Sequence, residues 1–89
     1  MTKAEELKAL ADGEPSCLVN SQDDEPLFIL AARDEIASQA VKFWADLVEA
    51  RAVAQGKMTK HLRAKLDEAR GLARKMDEWR FANVSKLPD

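Results

Sequence analysis

Four basic side chains lie close together around the expected start of a helix in the segment GKMTKHLRAKL. They are Lys57, Lys60, Arg63 and Lys65. Cationic side chains and the free backbone N–H groups of a helix N-terminus both attract phosphate. The cluster indicates one candidate function, the binding of nucleic acid or of a small anionic nucleotide. Against it, the sequence pI of about 5.4 is low for a protein that binds by neutralising phosphates.

The single histidine of the chain, His61, lies within this cluster. Its neighbours at helical spacing are cationic, and no carboxylate stands four residues away to orient it as a general base. One histidine and one cysteine, Cys17, cannot form a structural zinc site within one chain. No glycine-rich phosphate loop or nucleophile elbow is present. We therefore expect a protein that is not an enzyme and that uses neither a cofactor nor a metal.

Three helices are predicted to position these residues. Thr2 and Glu5 have the spacing of a capping box for a short N-terminal helix, which Gly13 ends. A second helix is predicted over residues 34–55 and a third over residues 59–82. Only about three residues separate these two helices, so they must be antiparallel neighbours.

The ends of the two long helices carry residues that favour capping. Asp34 and Ser38 are alternative N-caps for the helix over 34–55, and Gly56 is its expected stop. Thr59 is the expected N-cap of the helix over 59–82. Each of these predictions rests on local chemistry alone.

The connector before the second helix allows two interpretations. SCLVN and PLFIL, joined by the turn-prone SQDDE, are each short enough to be a β-strand. Alternatively, PLFILAA is an extended segment that lies across the helices. The predicted fold is therefore mainly all-α in a single domain, residues 1–89. It is an antiparallel helical hairpin with a short N-terminal helix and an extended or short β segment near residues 16–31.

Apolar residues on the helix over 34–55 fall in two neighbouring rows, which together are wider than a single two-helix seam needs. The first row is Ile36, Ala40, Phe43, Leu47, Ala50 and Ala54, and the second is Ala37, Val41, Trp44 and Val48. On the third helix, alternating steps of three and four predict a seam of Leu62, Leu66, Ala69, Leu72 or Ala73, Met76 and Trp79.

Six consecutive apolar residues, 27–32, follow an acidic turn. Burial of each large side chain among them would contribute about 1.5–3 kcal/mol, so we expect this run to be covered. A chain this small has more apolar surface than one copy can bury, which favours pairing with a second copy or with a foreign protein. Trp44 is predicted to be core, and Trp79 to be either core or an interface anchor. The candidate contact residues are Phe28, Ile29, Leu30, Trp44 and Trp79.

The net charge of −2 conceals a division of charge along the chain. Residues 57–80 hold eight basic and four acidic side chains, whereas residues 1–56 hold five basic and eleven acidic ones. The two halves attract each other, which favours internal pairing or head-to-tail self-association. One cysteine excludes an internal disulfide, the N-terminus lacks the pattern of a secretory signal, and no apolar run approaches the length of a membrane span. We therefore expect a cytoplasmic protein that does not bind membranes.

Two segments of the chain, about residues 24–50 and 68–89, carry a resemblance. The matching features are Glu25, Pro26, Phe28, Leu30, Asp34, Trp44, Ala45, Glu68, Ala69, Arg70, Trp79, Leu87, Pro88 and Asp89. This pattern is similar to that of small uncharacterised helical proteins encoded by tailed phages and prophages of proteobacteria. The first 20 residues and GKMTKHLRAK lie outside the resemblance.

The resemblance implies an accessory phage or prophage protein that acts in the cytoplasm of the bacterial host. Such proteins often bind and obstruct a host factor, including components of defence systems. The expected function is therefore non-enzymatic binding of a host protein, by a homo-oligomer. The alternative is the nucleic-acid or nucleotide binder that uses the basic third helix.

Overall fold

Four α-helices make up the regular structure of the described part of this chain. The computed structural model describes residues 2–83, apart from the side chain of Cys17. The helices are α1 (Lys3–Asp12), α2 (Cys17–Asn20), α3 (Ala37–Ala54) and α4 (Lys60–Ala82). α3 and α4 pack against each other as an antiparallel hairpin, and α1 contacts α2. The predicted all-α hairpin with a short N-terminal helix is confirmed. Leu87, Pro88 and Asp89, which belong to the resemblance, lie outside the described residues.

Both ends of α1 follow the sequence prediction. The Thr2 hydroxyl accepts a hydrogen bond from the Glu5 N–H at 3.1 Å, and the Glu5 carboxylate accepts one from the Thr2 N–H. Gly13 has a φ of 69°, a left-handed conformation that glycine adopts without steric cost. The Glu14 N–H then reaches back to the Ala9 carbonyl at 2.9 Å and satisfies it.

The strand interpretation of residues 16–31 is wrong, since no strand occurs between residues 2 and 83. SCLVN forms a helical turn instead, because the Ser16 hydroxyl accepts a hydrogen bond from the Val19 N–H at 3.1 Å and caps α2. PLFIL has no regular secondary structure. A ribbon of two short strands is marginal without further support, and a local side-chain cap is sufficient to favour the helical turn.

The predicted start of α3 is also wrong. The helix begins at Ala37 with Ile36 at the N-cap and without a side-chain cap, so neither Asp34 nor Ser38 caps it. Ser38 lies inside the first turn and is buried. At the other end Gly56 has the expected positive φ of 64°, and Lys57 donates to the Ala52 carbonyl at 2.8 Å.

The N-terminus of α4 has the predicted cap. The Thr59 hydroxyl accepts a hydrogen bond from the Leu62 N–H at 3.0 Å. This bond satisfies one of the free N–H groups at the start of a helix. The tight turn at Gly56 and the cap at Thr59 together fix where α4 leaves the hairpin turn.

The seam of the hairpin borders the second predicted row of α3, whose Ala37 is buried, and not the first row. Ser38, Ala45 and Ala52 are buried and follow one another seven residues apart, whereas the first predicted row faces away from α4. Val41 and Val48 of the second row border the seam and are half-buried. Small side chains allow two helices to approach closely, which favours this rotation of α3.

On α4 the predicted seam is largely correct. Leu66, Ala73 and Met76 are buried. Leu62 and Ala69 are half-buried, while Trp79 at the end of the row is 48% exposed. Trp44, predicted to be core, is 52% exposed, so this prediction is wrong. The rotation of α3 that buries alanines moves its aromatic residues outward.

Candidate protein-interaction surfaces

Residues 27–30, here called the 27–30 loop, form an exposed apolar surface. Phe28 is 86% exposed and Ile29 is 81% exposed, while Leu30 is half-buried. Burial of this run was expected and is not observed. Two hydrogen-bonded turns flank the loop, one from Glu25 N–H to the Gln22 carbonyl at 3.1 Å and one from Asp34 N–H to the Ala31 carbonyl at 3.0 Å. These turns hold both ends of the loop, while the side chains of Phe28 and Ile29 point into solvent.

A second apolar surface lies on α3, opposite the seam, and is here called the outer face of α3. Its large residues are Ile36, Phe43 and Leu47, of which Phe43 is 69% exposed. Ala50 and Ala54 extend it toward the C-terminal end of the helix and are also exposed, and Ala40 belongs to it but is half-buried. These residues belong to the first row of the sequence pattern. The row is apolar, as predicted, but it is free for contact rather than packed.

The five predicted contact residues lie on three different elements. Phe28, Ile29 and Leu30 are in the 27–30 loop, Trp44 is on α3 and Trp79 is on α4. Trp44 borders a cleft between α1 and the hairpin, and Trp79 does not line it. The sequence prediction thus found exposed apolar residues but did not group them into surfaces. The outer face of α3 was missed as a contact site, although its row at helical spacing was visible in the sequence.

The cleft between the α1–α2 unit and the hairpin has a volume of about 940 Å³. Among the described residues, no Cα atom of α1 or α2 comes within 8 Å of a Cα atom of α3 or α4. The lining is mixed in charge: α1 contributes Glu5 and Glu6, and α4 contributes Glu68 together with His61, Lys65, Arg74 and Lys75. It includes a buried oxygen of Glu6, Oε2, that has no hydrogen-bond partner within residues 2–83. A lining with both signs of charge shows no preference for one class of ligand.

The predicted anion-binding cluster is reduced by an ion-pair network across the seam. Arg63 donates a hydrogen bond to the Glu49 carboxylate, so its charge is already paired. Arg70 bonds to the other oxygen of Glu49 at 2.6 Å and to Asp46 at 2.9 Å. Lys57, Lys60 and Lys65 remain exposed. The structure therefore leaves three of the four predicted cations available to a phosphate.

Glu49 is the centre of this network. Hydrogen bonds from Arg63 and then Arg70 lower its pKa, because both favour the charged carboxylate. Asp46 and then Glu49 raise the pKa of Arg70 for the same reason. Both arginines come from the basic half of the sequence and both carboxylates from the acidic half, which confirms the predicted internal pairing.

The open end of the hairpin is held by a second group of polar contacts. Lys42 and Asp77 form an ion pair at 3.2 Å. Ser38 is the larger cause, and Lys42 the next, of a lowered Asp77 pKa. Arg80 donates to the Glu35 carbonyl at 2.7 Å. These contacts fix the approach of the chain to α3.

Within residues 2–83, no group of three or more histidine, cysteine or acidic residues is arranged to hold a metal ion. None of the four helices has the length and apolar character needed to cross a membrane. The comparisons with known proteins found no match to a family model, to a curated protein or to a solved structure. The function is therefore inferred from the surfaces of the chain itself.

Proposed function

We propose that this chain is a non-enzymatic protein-binding module whose 27–30 loop contacts a bacterial host protein and obstructs it. The finer part of the proposal, a phage or prophage origin and a target in a host defence system, is supported by the resemblance of residues 24–50 and 68–89. The module acts by occupying a surface of its target, in the host cytoplasm, as a homo-oligomer.

The exposure of Phe28 and Ile29 is the observation that carries the proposal. Two large adjacent side chains that are 86% and 81% exposed leave a substantial apolar area in water. Burial of each against a partner would contribute about 1.5–3 kcal/mol. The turns on both sides of the loop limit the conformational entropy that is lost on binding. Exposed apolar patches of this kind mark protein-interaction sites.

The nucleic-acid alternative has less support. Arg63 of its four-residue cluster is ion-paired with Glu49, and the three remaining lysines lie on a chain whose net charge is −2. Neutralisation of phosphates supplies most of the non-specific affinity for nucleic acid. Three lysines on an acidic chain provide little of it.

Phe28→Asp tests the proposal, because it places a charge where an apolar contact is expected. The affinity for a host partner isolated from proteobacterial lysate should fall at least about tenfold, as expected from losing one buried aromatic side chain. The helical circular dichroism should be retained, since the side chain has few contacts in the free protein. Binding is measured with the purified partner by calorimetry or surface plasmon resonance.

Phe81→Asp is the matched control, because Phe81 is 96% exposed on α4 and receives the same substitution. It should bind the partner as the unmodified protein does. Equal binding by all three proteins would contradict the role of the loop. Loss of the helical signal in Phe28→Asp would show instead that Phe28 is needed for folding and not specifically for binding.

A further inference from the structure

We infer that the outer face of α3 is the site at which a second copy of this chain binds, with the two α3 helices parallel and in register. The inference deepens the proposed homo-oligomer by assigning its interface, and it rests on that part of the proposed function. The 27–30 loop takes no part in this contact and remains available to the host protein.

The spacing on the outer face is that of a coiled-coil seam. Its residues alternate in steps of four and three over the whole of α3, with the preceding Ile36 included. In heptad terms the d positions are Ile36, Phe43 and Ala50, and the a positions are Ala40, Leu47 and Ala54. Apolar residues at both a and d are what pairs one helix with another.

This seam is separate from the one that α3 shares with α4. Ser38, Ala45 and Ala52, which are buried against α4, occupy the f position of the same heptad, on the opposite side of the helix. α3 therefore has an internal seam of small residues and an external seam that contains Ile36, Phe43 and Leu47. Pairing through the external seam would give the order α4–α3–α3–α4 across the dimer.

The charged residues beside the external seam argue for a second copy in a parallel orientation. Asp46 is at a g position and Arg51 is five residues later, at the e position. In a parallel pair of helices, a g residue faces the e residue five positions later on the partner. The two-fold axis would therefore form the Asp46–Arg51 pair twice.

The side chains are placed to make this pair. The Asp46 side chain is 72% exposed, and its bond to Arg70 uses Oδ1 only. Arg51 is exposed and has no ion pair within residues 2–83. In an antiparallel dimer g faces g and e faces e, so Asp46 would meet Gln39, Asp46 or Val53 and never Arg51. The charges therefore select the parallel arrangement.

Disulfide trapping tests the orientation directly. In a Cys17→Ser background, Ile36→Cys and Ala50→Cys chains of different mass are mixed in a glutathione redox buffer, and the products are identified by mass spectrometry. Parallel in-register pairing places each d residue beside the same residue of the second copy, so two chains of the same variant should cross-link. Positions 36 and 50 are 14 residues apart, or about 21 Å along a helix, so no mixed product should form.

Two results would overturn the inference. Antiparallel pairing centred on Phe43 would give mainly the mixed product. Ala64→Cys, on the exposed face of α4, is the control for random cross-linking. No more cross-linking than this control shows would mean that the two outer faces do not meet. A purified protein that stays monomeric in light scattering at millimolar concentration would have the same effect.

Leu47→Glu tests the same face without cysteines. It places a charge at the centre of the external seam, and the dimer dissociation constant should rise at least about tenfold. Ala64→Glu, which adds the same side chain on the exposed face of α4, should leave the dimer intact. A dimer that is unaffected by Leu47→Glu would refute the assignment of this face.

The two proposals fail separately. Leu47→Glu should still bind the host partner through the 27–30 loop, and Phe28→Asp should still form the dimer. A monomeric protein that binds its partner would overturn the α3 interface alone. A dimer that has no partner sensitive to Phe28→Asp would overturn the proposed host binding alone.

Discussion

Glu49 weakens the prediction that the basic cluster on α4 binds phosphate. Its carboxylate binds Arg63 and Arg70 across the hairpin. Arg63 is thereby removed from the group of exposed cations, and α3 is fixed in its rotation against α4. Such pairs at a partly exposed surface contribute modestly to stability, but they have a definite geometry because guanidinium and carboxylate groups match.

The network at Glu49 predicts a specific dependence of stability on pH. The folded-state pKa of Glu49 is lowered, chiefly by Arg63 and then by Arg70. Its stabilisation is therefore complete above the unfolded-state value of about 4.3 and is lost as the pH falls through the lower folded value. Glu49→Gln should lose less stability than the unmodified protein between pH 5 and 3, measured by urea unfolding with circular dichroism.

Glu78→Gln provides the control for this experiment. Glu78 is exposed on α4 and has no ion pair across the seam within residues 2–83. The free energy of unfolding of Glu78→Gln should decrease between pH 5 and 3 with the same slope as that of the unmodified protein. The pKa of Asp77 is also lowered, so part of the decrease in stability with falling pH remains in every variant. Identical slopes for Glu49→Gln and the unmodified protein would contradict the assigned role of Glu49.

At the scale of elements, α3 is unusual because it is apolar on two opposite sides. The side with the small residues Ser38, Ala45 and Ala52 packs on α4, and the side with Phe43 and Leu47 faces solvent. Hydrophobicity alone would favour the reverse, because larger side chains gain more from burial. Close packing of small residues and the ion pairs at Glu49 favour the observed rotation.

The tight seam predicts that an added side chain is not tolerated at its centre. Ala45 is fully buried, so Ala45→Leu should lower the free energy of unfolding by about 1–3 kcal/mol through overpacking. Ala64→Leu, on the exposed face of α4, should change it by less than about 0.5 kcal/mol. Both are measured by urea unfolding. A neutral Ala45→Leu would show that the helices do not approach closely at this position.

At the scale of the whole molecule, the core is small for the amount of apolar surface. Of the seven buried apolar residues in the described part of the chain, five are alanines, and Leu66 is the large side chain that is fully buried. Thirteen large hydrophobic residues are exposed in the same range. This imbalance is the general reason to expect partners, and it is consistent with two separate contact surfaces.

The apolar character of these surfaces predicts how binding responds to salt. The complex with a host protein and the α3 dimer should both persist when sodium chloride is raised from about 0.05 to 0.5 M, because little of their affinity is electrostatic. A complex with nucleic acid through Lys57, Lys60 and Lys65 should instead weaken with a log–log slope of about −2.7. Fluorescence anisotropy across the titration distinguishes the two. Loss of the protein complex along such a slope would favour the anion-binding alternative.

The sequence by itself determined the three longer helices and most of their ends. The cap at Thr2, the left-handed glycines at 13 and 56 and the cap at Thr59 depend on hydrogen bonds between residues a few positions apart. The short link between the long helices determined that they are antiparallel. The sequence also showed that opposite charges divide between the two halves of the chain. It did not show which residues pair.

Only the tertiary structure decided which face of α3 is buried and whether the 27–30 loop is covered. Two apolar rows of similar strength permit more than one rotation of a helix, and the choice depends on close approach to α4 and on Arg63 and Arg70. Coverage of Phe28 depends on which surfaces lie beside it in three dimensions, and local spacing carries no information about them. The contact residues were therefore predictable as apolar from the sequence, and their division into a seam and two exposed surfaces was not.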